Sequence, residues 1–137
     1  MDSQFKRVIL EAWLRLPEDV RSPPATEAQL KAFENEFQPI PQDYRWFLAN
    51  CGGGPVGHDW MDSIKELPGT HQKFREEFEG GYWAGLADVF VVAYDGSGNP
   101  YGIHKSSGKV LVEDHDFGGV HELAPSFSEY LRKHILE

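Results

Sequence analysis

The chain has 137 residues, 40% of them hydrophobic, which suits one domain with one core and is too short for a nucleotide-binding unit plus a substrate domain. Lys and Arg number 13 against 22 Asp and Glu, so the net charge is −9, and an acidic surface of this kind argues against nucleic-acid and membrane-lipid partners. The one cysteine, Cys51, excludes an intrachain disulfide and a zinc site of several cysteines.

The opening MDSQFKRVILEAW is acidic at once and lacks the apolar core of a signal peptide, and no apolar run reaches membrane-spanning length, so the expected location is the cytoplasm. Phe5, Val8, Ile9 and Trp13 recur at helical spacing and predict an amphipathic helix, which the prolines of LPEDVRSPPA end. A capping box at Thr26 and Gln29 opens a second helix with Leu30, Phe33 and Phe37 on one face. In QPIPQDYRWFLANCGGG, Pro41 suits a first helical turn and Asp43 the positive end of the helix dipole. Tyr44, Phe47, Leu48 and Cys51 form its apolar stripe, and Gly52 falls where a left-handed residue ends a helix.

Phe74 and Phe78 predict a short surface helix that Gly80 and Gly81 end. DVFVVAY is a continuous β-branched run, expected as a strand covered on both faces. With PYGIHK and KVLVEDHD it predicts a three-stranded antiparallel meander, turning at DGSGN and at SSG. A second capping box, Ser126 and Glu129, opens a last helix whose buried face is Phe127, Tyr130, Leu131 and Ile135. The expected fold class is α+β: N-terminal helices and a C-terminal helix packed on an antiparallel β-meander, as one domain over residues 1–137.

Gly52, Gly54 and Gly57 match the G-x-G-x-x-G spacing of dinucleotide loops, but here a helix runs into the glycines and none leaves them, so a helix cap and tight turn explain them better. DGSGNP resembles the start of a calcium loop, yet the sixth and twelfth positions hold Pro100 and Ser106 where Gly and Glu are needed. EDHD at Glu113–Asp116 sets His115 between carboxylates and reads as an exposed acidic strand end rather than a metal half-site or acid–base pair. Cys51 reads as a small buried hydrophobe. No catalytic residue, cofactor or metal is expected, and no sequence signal fixes an oligomeric state. Trp46, Trp60, Trp83, Tyr82 and Tyr101 stand out, since aromatic residues beside carboxylates can supply binding energy at a protein interface.

The stretch PATEAQLKAFENEFQPIPQDYRWFLANCGGG resembles the opening of the SUKH superfamily, in the Smi/Knr cell-wall assembly regulator branch. Ile40, Pro41, Asp43, Tyr44, Phe47 and Leu48 match its (L/I)P-x-D-Y-x-x-F-L pattern, with Asn50, Gly52 and Gly53 standing for its turn and Cys51 interrupting it. The hairpin with Asp95, Gly98 and Asn99 and the closing S-F-x-E-Y-L at Ser126 and Phe127 are similar to later family motifs, so the resemblance runs over residues 24–133. It implies an α+β fold without established catalytic residues. Many bacterial members are immunity proteins that bind and block a polymorphic or contact-dependent toxin, often a nuclease; fungal members act as regulators or scaffolds. The expected partner is therefore a protein, a basic toxin domain, with a regulatory scaffold role as the alternative. From charge, aromaticity and loop placement the expected contact surface is Asp59, Trp60, Asp62, Trp83, Asp114 and Asp116.

Overall fold

The structure is a computed structural model that describes residues 1–116 and 118–137. Helix α1 (Ser3–Trp13) starts at Asp2, whose carboxylate accepts the Phe5 N–H at 2.7 Å. Ile9 and Trp13 are buried while Val8 is exposed, so the apolar stripe is narrower than its spacing predicts. Helix α2 (Glu27–Glu36) carries both halves of its capping box: the Thr26 N–H donates to Gln29 Oε1 (2.9 Å) and the Gln29 N–H to Thr26 Oγ1 (3.2 Å). Helix α3 (Gln42–Asn50) follows Pro41, which sits at the N-cap rather than inside the first turn. Arg45 ties the two helices together, its guanidinium reaching Glu27 at 2.8 Å and Glu34 at 3.1 Å.

Tyr44, Phe47, Leu48 and Cys51 are all buried. The Gly52 N–H then closes on the Phe47 carbonyl (3.0 Å) with φ at +86°, the left-handed helix end that the sequence suggests. Gly53 and Gly54 also hold positive φ; the main chain of residues 20–23 passes against Gly52 and Gly54, and that of residues 61–63 against Gly53. Ser22 N–H donates to the Gly53 carbonyl (2.9 Å) and Ala25 N–H to the Leu48 carbonyl (2.8 Å). A Cβ on Gly52 would lie 2.2 Å from the Ser22 carbonyl oxygen.

Beyond the glycines the chain forms a short hairpin, β1 (Gly54–Val56) with β2 (Asp59–Met61), where the sequence suggests only a turn. Helix α4 (Leu67–Glu79) begins well before Phe74, with Pro68 in its first turn where no N–H is needed. The main sheet has four strands, one more than the sequence predicts: β3 (Val89–Tyr94), β4 (Pro100–His104), β5 (Val110–Glu113) and β6 (Val120–Ala124), antiparallel in chain order. Helix α5 (Phe127–Leu131), capped by Ser126 Oγ on the Glu129 N–H (3.1 Å), runs into a π-helical turn over Arg132–Leu136. The Glu129 carboxylate lies 3.3 Å from Arg132.

The architecture is α+β, as expected. One face of the main sheet, with Phe90, Val92, Tyr101, Ile103 and Val110, packs on α1, α2, α3, α5 and the small hairpin to form the main core. The other face, with Val89 and Leu111, forms a smaller core with Trp83, Leu86 and Phe74. Among the described residues no helix is long and apolar enough to cross a membrane.

The crossing predicts a sharp difference between two left-handed glycines. Gly98, at φ +84° in open space, tolerates alanine at a cost of about 1–2 kcal/mol. Gly52→Ala adds a clash with main chain that cannot swing away, and is expected to cost about 3 kcal/mol or more in urea unfolding.

Candidate protein-binding site

Asp95 builds the β3–β4 turn: its Oδ1 accepts the N–H groups of Ser97 and Asn99, both at 2.9 Å, and Gly98 takes the left-handed position. Asn99 is buried, with its amide on Asp95 (3.2 Å) and its Oδ1 accepting the His115 N–H (2.9 Å) and bonded to His115 Nδ1. One asparagine thus ties the β3–β4 turn to the end of β5. The EDHD run is fixed here. Glu113 accepts the Gly85 N–H (2.8 Å), and Asp116 lies exposed 3.2 Å from His115.

Trp83 stands against the His115 edge at 6.2 Å between ring centroids. It is the one non-glycine residue at positive φ (+63°) among the described residues, a rare conformation for a bulky side chain. Two contacts hold it: its ring fills the smaller core, and its Nε1–H donates to Glu77 Oε1 at 2.8 Å. The same oxygen accepts the Tyr94 hydroxyl at 2.7 Å, and Lys73 Nζ lies 4.1 Å over the Tyr94 ring. Burial and the neighbouring Glu77 carboxylate raise the Tyr94 pKa. Trp83 and Glu77 line a cleft of about 290 Å³ with Lys73, Tyr82 and His115. Tyr82, beside this braced tryptophan, is 63% exposed, and Phe78 and Val120 (40%) are exposed as well.

The hairpin β1–β2 sits on the other face. Trp60 is 42% exposed, its Nε1–H bonded to Glu66 (3.0 Å) and its carbonyl accepting the Tyr101 hydroxyl (3.2 Å). Asp59, half-buried, faces the Tyr130 hydroxyl at 3.5 Å. The six residues of the expected contact surface therefore do not form one patch. Asp59 and Trp60 flank the main core, Trp83 belongs to the smaller core on the opposite face of the sheet, and Asp114 and Asp116 lie beyond the end of β5. Trp83 is itself buried and supports Tyr82 rather than offering contact area.

Asp62 is also buried, beneath the hairpin, where its carboxylate accepts the Thr70 hydroxyl and its backbone carbonyl accepts the Tyr44 hydroxyl (2.6 Å). Burial pushes its pKa up to about 7, against the Thr70 bond that lowers it and with a smaller push from Glu66. His71, buried nearby against Phe90, donates from Nε2 to the Val91 carbonyl (2.7 Å), and desolvation lowers its pKa to about 4. Cys51 is buried, its thiol pushed up to about 12, which suits a core residue and not a nucleophile.

The motif residues from the two ends of the chain converge on a third feature. Pro41 and Asp43 at the start of α3 and Ser126 and Phe127 at the start of α5, with Ile103 and His104 of β4, line a cleft of about 580 Å³. Their local roles are structural: Phe127 packs edge-on to Tyr44 and Phe47, Ser126 caps α5, and Asp43 lies in the first turn of α3. Among the described residues no group of three or more His, Cys, Asp and Glu is placed to hold a metal ion.

Residues 24–133 match the family model described as SMI1 / KNR4 family (SUKH-1). No curated protein matches the chain.

Asp62 and His71 predict opposite pH dependences that overlap. Asp62 binds its proton more tightly in the folded state, so its contribution is full below about pH 3.8 and is lost as pH rises through about 7. His71 binds its proton more weakly when folded, so its contribution is full above about pH 6.5 and is lost as pH falls through about 4. Relative to the parent, Asp62→Asn should gain stability as pH rises from 4 to 7, and His71→Gln should lose it. Each slope reaches at most about 1.4 kcal/mol per pH unit, read by urea unfolding across a pH series.

Proposed function

The chain belongs to the SMI1 / KNR4 family (SUKH-1), which supports a protein-interaction module, and we propose that it is a non-enzymatic immunity protein that neutralises a basic bacterial toxin domain by occluding it. One observation carries this reading: the exposed Phe78, Tyr82 and Val120 lie on the smaller-core side of the sheet, where Glu77 and Glu113 bond to Trp83 and Gly85. From Glu76 to His104 the sequence has five acidic residues, Glu76, Glu77, Glu79, Asp88 and Asp95, and no Lys or Arg. Glu113, Asp114 and Asp116 extend the acidic character at the end of β5. Carboxylates on such a face speed encounter with a basic partner, while a rigid exposed tyrosine supplies contact area at low entropic cost.

The regulatory-scaffold reading has its own support in exposed Trp60 beside half-buried Asp59 on the opposite face, because a scaffold uses more than one docking surface.

Coexpression with a toxin-like reading frame sought beside the gene tests the proposal. Expected are growth rescue and a one-to-one complex whose association rate falls at least tenfold between 50 and 500 mM salt, with little change in dissociation. Tyr82→Ala should weaken the complex by about 2 kcal/mol, roughly 30-fold in Kd, and Trp60→Ala should leave it unchanged. Neither rescue nor a complex would sink the immunity reading. Equal losses at Tyr82 and Trp60 would favour the scaffold.

A further inference from the structure

The two edges of the main sheet are finished differently. At β3 the Asp62 N–H donates to the Val92 carbonyl (3.2 Å), His71 Nε2 donates to the Val91 carbonyl (2.7 Å), and α4 packs along the strand. At the opposite edge, among the described residues, β6 pairs with β5 alone, and Val120, His121 and Glu122 are exposed.

The phase of the β6 ladder can be read from one bond beyond its end. The Asp114 N–H donates to the Gly119 carbonyl at 3.2 Å, and bonded and non-bonded pairs alternate along an antiparallel ladder. With Glu113 opposite Val120, Val112 opposite His121 and Leu111 opposite Glu122, His121 directs its main-chain groups to β5. Val120 and Glu122 therefore turn their N–H and C=O groups outward, toward an added strand.

The side chains on one face of this edge have a definite charge. Val120 lies over Gly85 beside Glu113, on the same face as Tyr82's supporting core. From Lys109 to Glu122 there are four carboxylates, Glu113, Asp114, Asp116 and Glu122, and one ammonium, Lys109, already 3.3 Å from Glu122. A second copy of the chain would bring like charge to like, with −9 on each molecule. A basic segment meets opposite charge at Glu122 on the edge strand and, one strand further in on the same face, at Glu113.

We infer that the β6 edge takes an extended basic segment of the partner as a fifth strand of the sheet, its main chain bonded to Val120 and Glu122 and its alternate basic side chains on the face that carries Glu122 and, one strand in, Glu113. This rests on the basic-partner reading above and adds how that partner is gripped, by main-chain pairing with side-chain selection.

The test uses a peptide of six residues alternating lysine or arginine with valine, blocked at both ends, and amide hydrogen exchange of the full chain followed by NMR at low salt. Expected is at least tenfold slower exchange at Val120 and Glu122 on binding, with His121 unchanged. N-methylation of the peptide's pairing amides should abolish binding, and an acidic peptide of the same pattern should not bind. Glu122→Pro, which removes only an outward N–H from the ladder, should lose binding where Glu122→Gln keeps it weakened; if the proline variant unfolds, the N-methylated peptide still decides. Binding without protection at Val120 and Glu122 would overturn strand addition while leaving the acidic-face reading intact, and absence of binding would overturn it as well. Protection that grows with protein concentration in the absence of peptide would assign the edge to a second copy instead.

Discussion

The fold turns on a place where two stretches of main chain touch. Residues 20–23 cross Gly52 and Gly54, and residues 61–63 pass Gly53, with no room for a side chain at any of these three positive-φ glycines. The crossing pins the segment after α1 to the end of α3 through the Ser22–Gly53 and Ala25–Leu48 bonds. It also brings the Trp13 ring to 3.2 Å from where a Gly54 Cβ would stand, and the Trp13 indole N–H donates to the Cys51 carbonyl at 3.0 Å. With that junction fixed, the chain leaves Gly54 directly into the hairpin that carries Trp60 and roofs the main core. The glycines resemble a phosphate cradle because both uses need close main-chain approach. Here the approaching group is the protein's own Ser22–Pro23 main chain, which occupies the space a pyrophosphate would need.

The two faces of the sheet are stabilised by different means. The main core is apolar and aromatic, with Trp13, Phe47, Tyr44, Phe90, Phe127 and Tyr130 joined by successive ring contacts. The smaller core on the other face has few apolar residues and is braced by polar contacts: Glu77 to Trp83 and Tyr94, Glu113 to Gly85, and Asn99 to His115. Left-handed Trp83 costs about 1–2 kcal/mol, offset by ring burial and the indole bond to Glu77. The consequence is positional. The strained turn points Trp83 inward and leaves Tyr82 facing solvent, so an exposed aromatic ring is carried on a fixed main chain.

Periodicity and capping residues made the helices legible, because Thr26, Gln29 and Ser126 act through local main-chain geometry that tertiary packing did not override. The buried strand DVFVVAY was legible for its unbroken β-branched run. The hairpin of two three-residue strands was not: Gly54–Val56 and Asp59–Met61 are too short for a period to show, although Gly57 at φ +67° marks the turn between them. Strand β6 escaped because VHELA sits at an edge, exposed along much of its length, and so lacks alternation between core and solvent. The contact surface was misjudged at Asp62 and Trp83 for a related reason. A carboxylate and an indole next to charged neighbours look exposed in sequence, yet Thr70 and Tyr44 bond to Asp62, and a left-handed turn reverses Trp83.

Charge and edge geometry divide the work of recognition between range and register. A net charge of −9 acts beyond contact distance and is blunt, raising encounter with any basic surface and weakening with salt. It cannot choose an orientation. Orientation needs groups with fixed direction, and on the acidic side of this sheet the chain has two such sets: the outward main-chain groups of Val120 and Glu122, and Tyr82 beside the braced Trp83. The closed β3 edge matters as much as the open one, since α4, Asp62 and His71 remove the competing site at which the same basic strand would pair in the wrong place. An acidic chain with both edges open would attract basic segments without register. For the proposed strand addition, one sealed edge leaves a single docking geometry, so that specificity would arise from what the fold covers as well as from what it exposes.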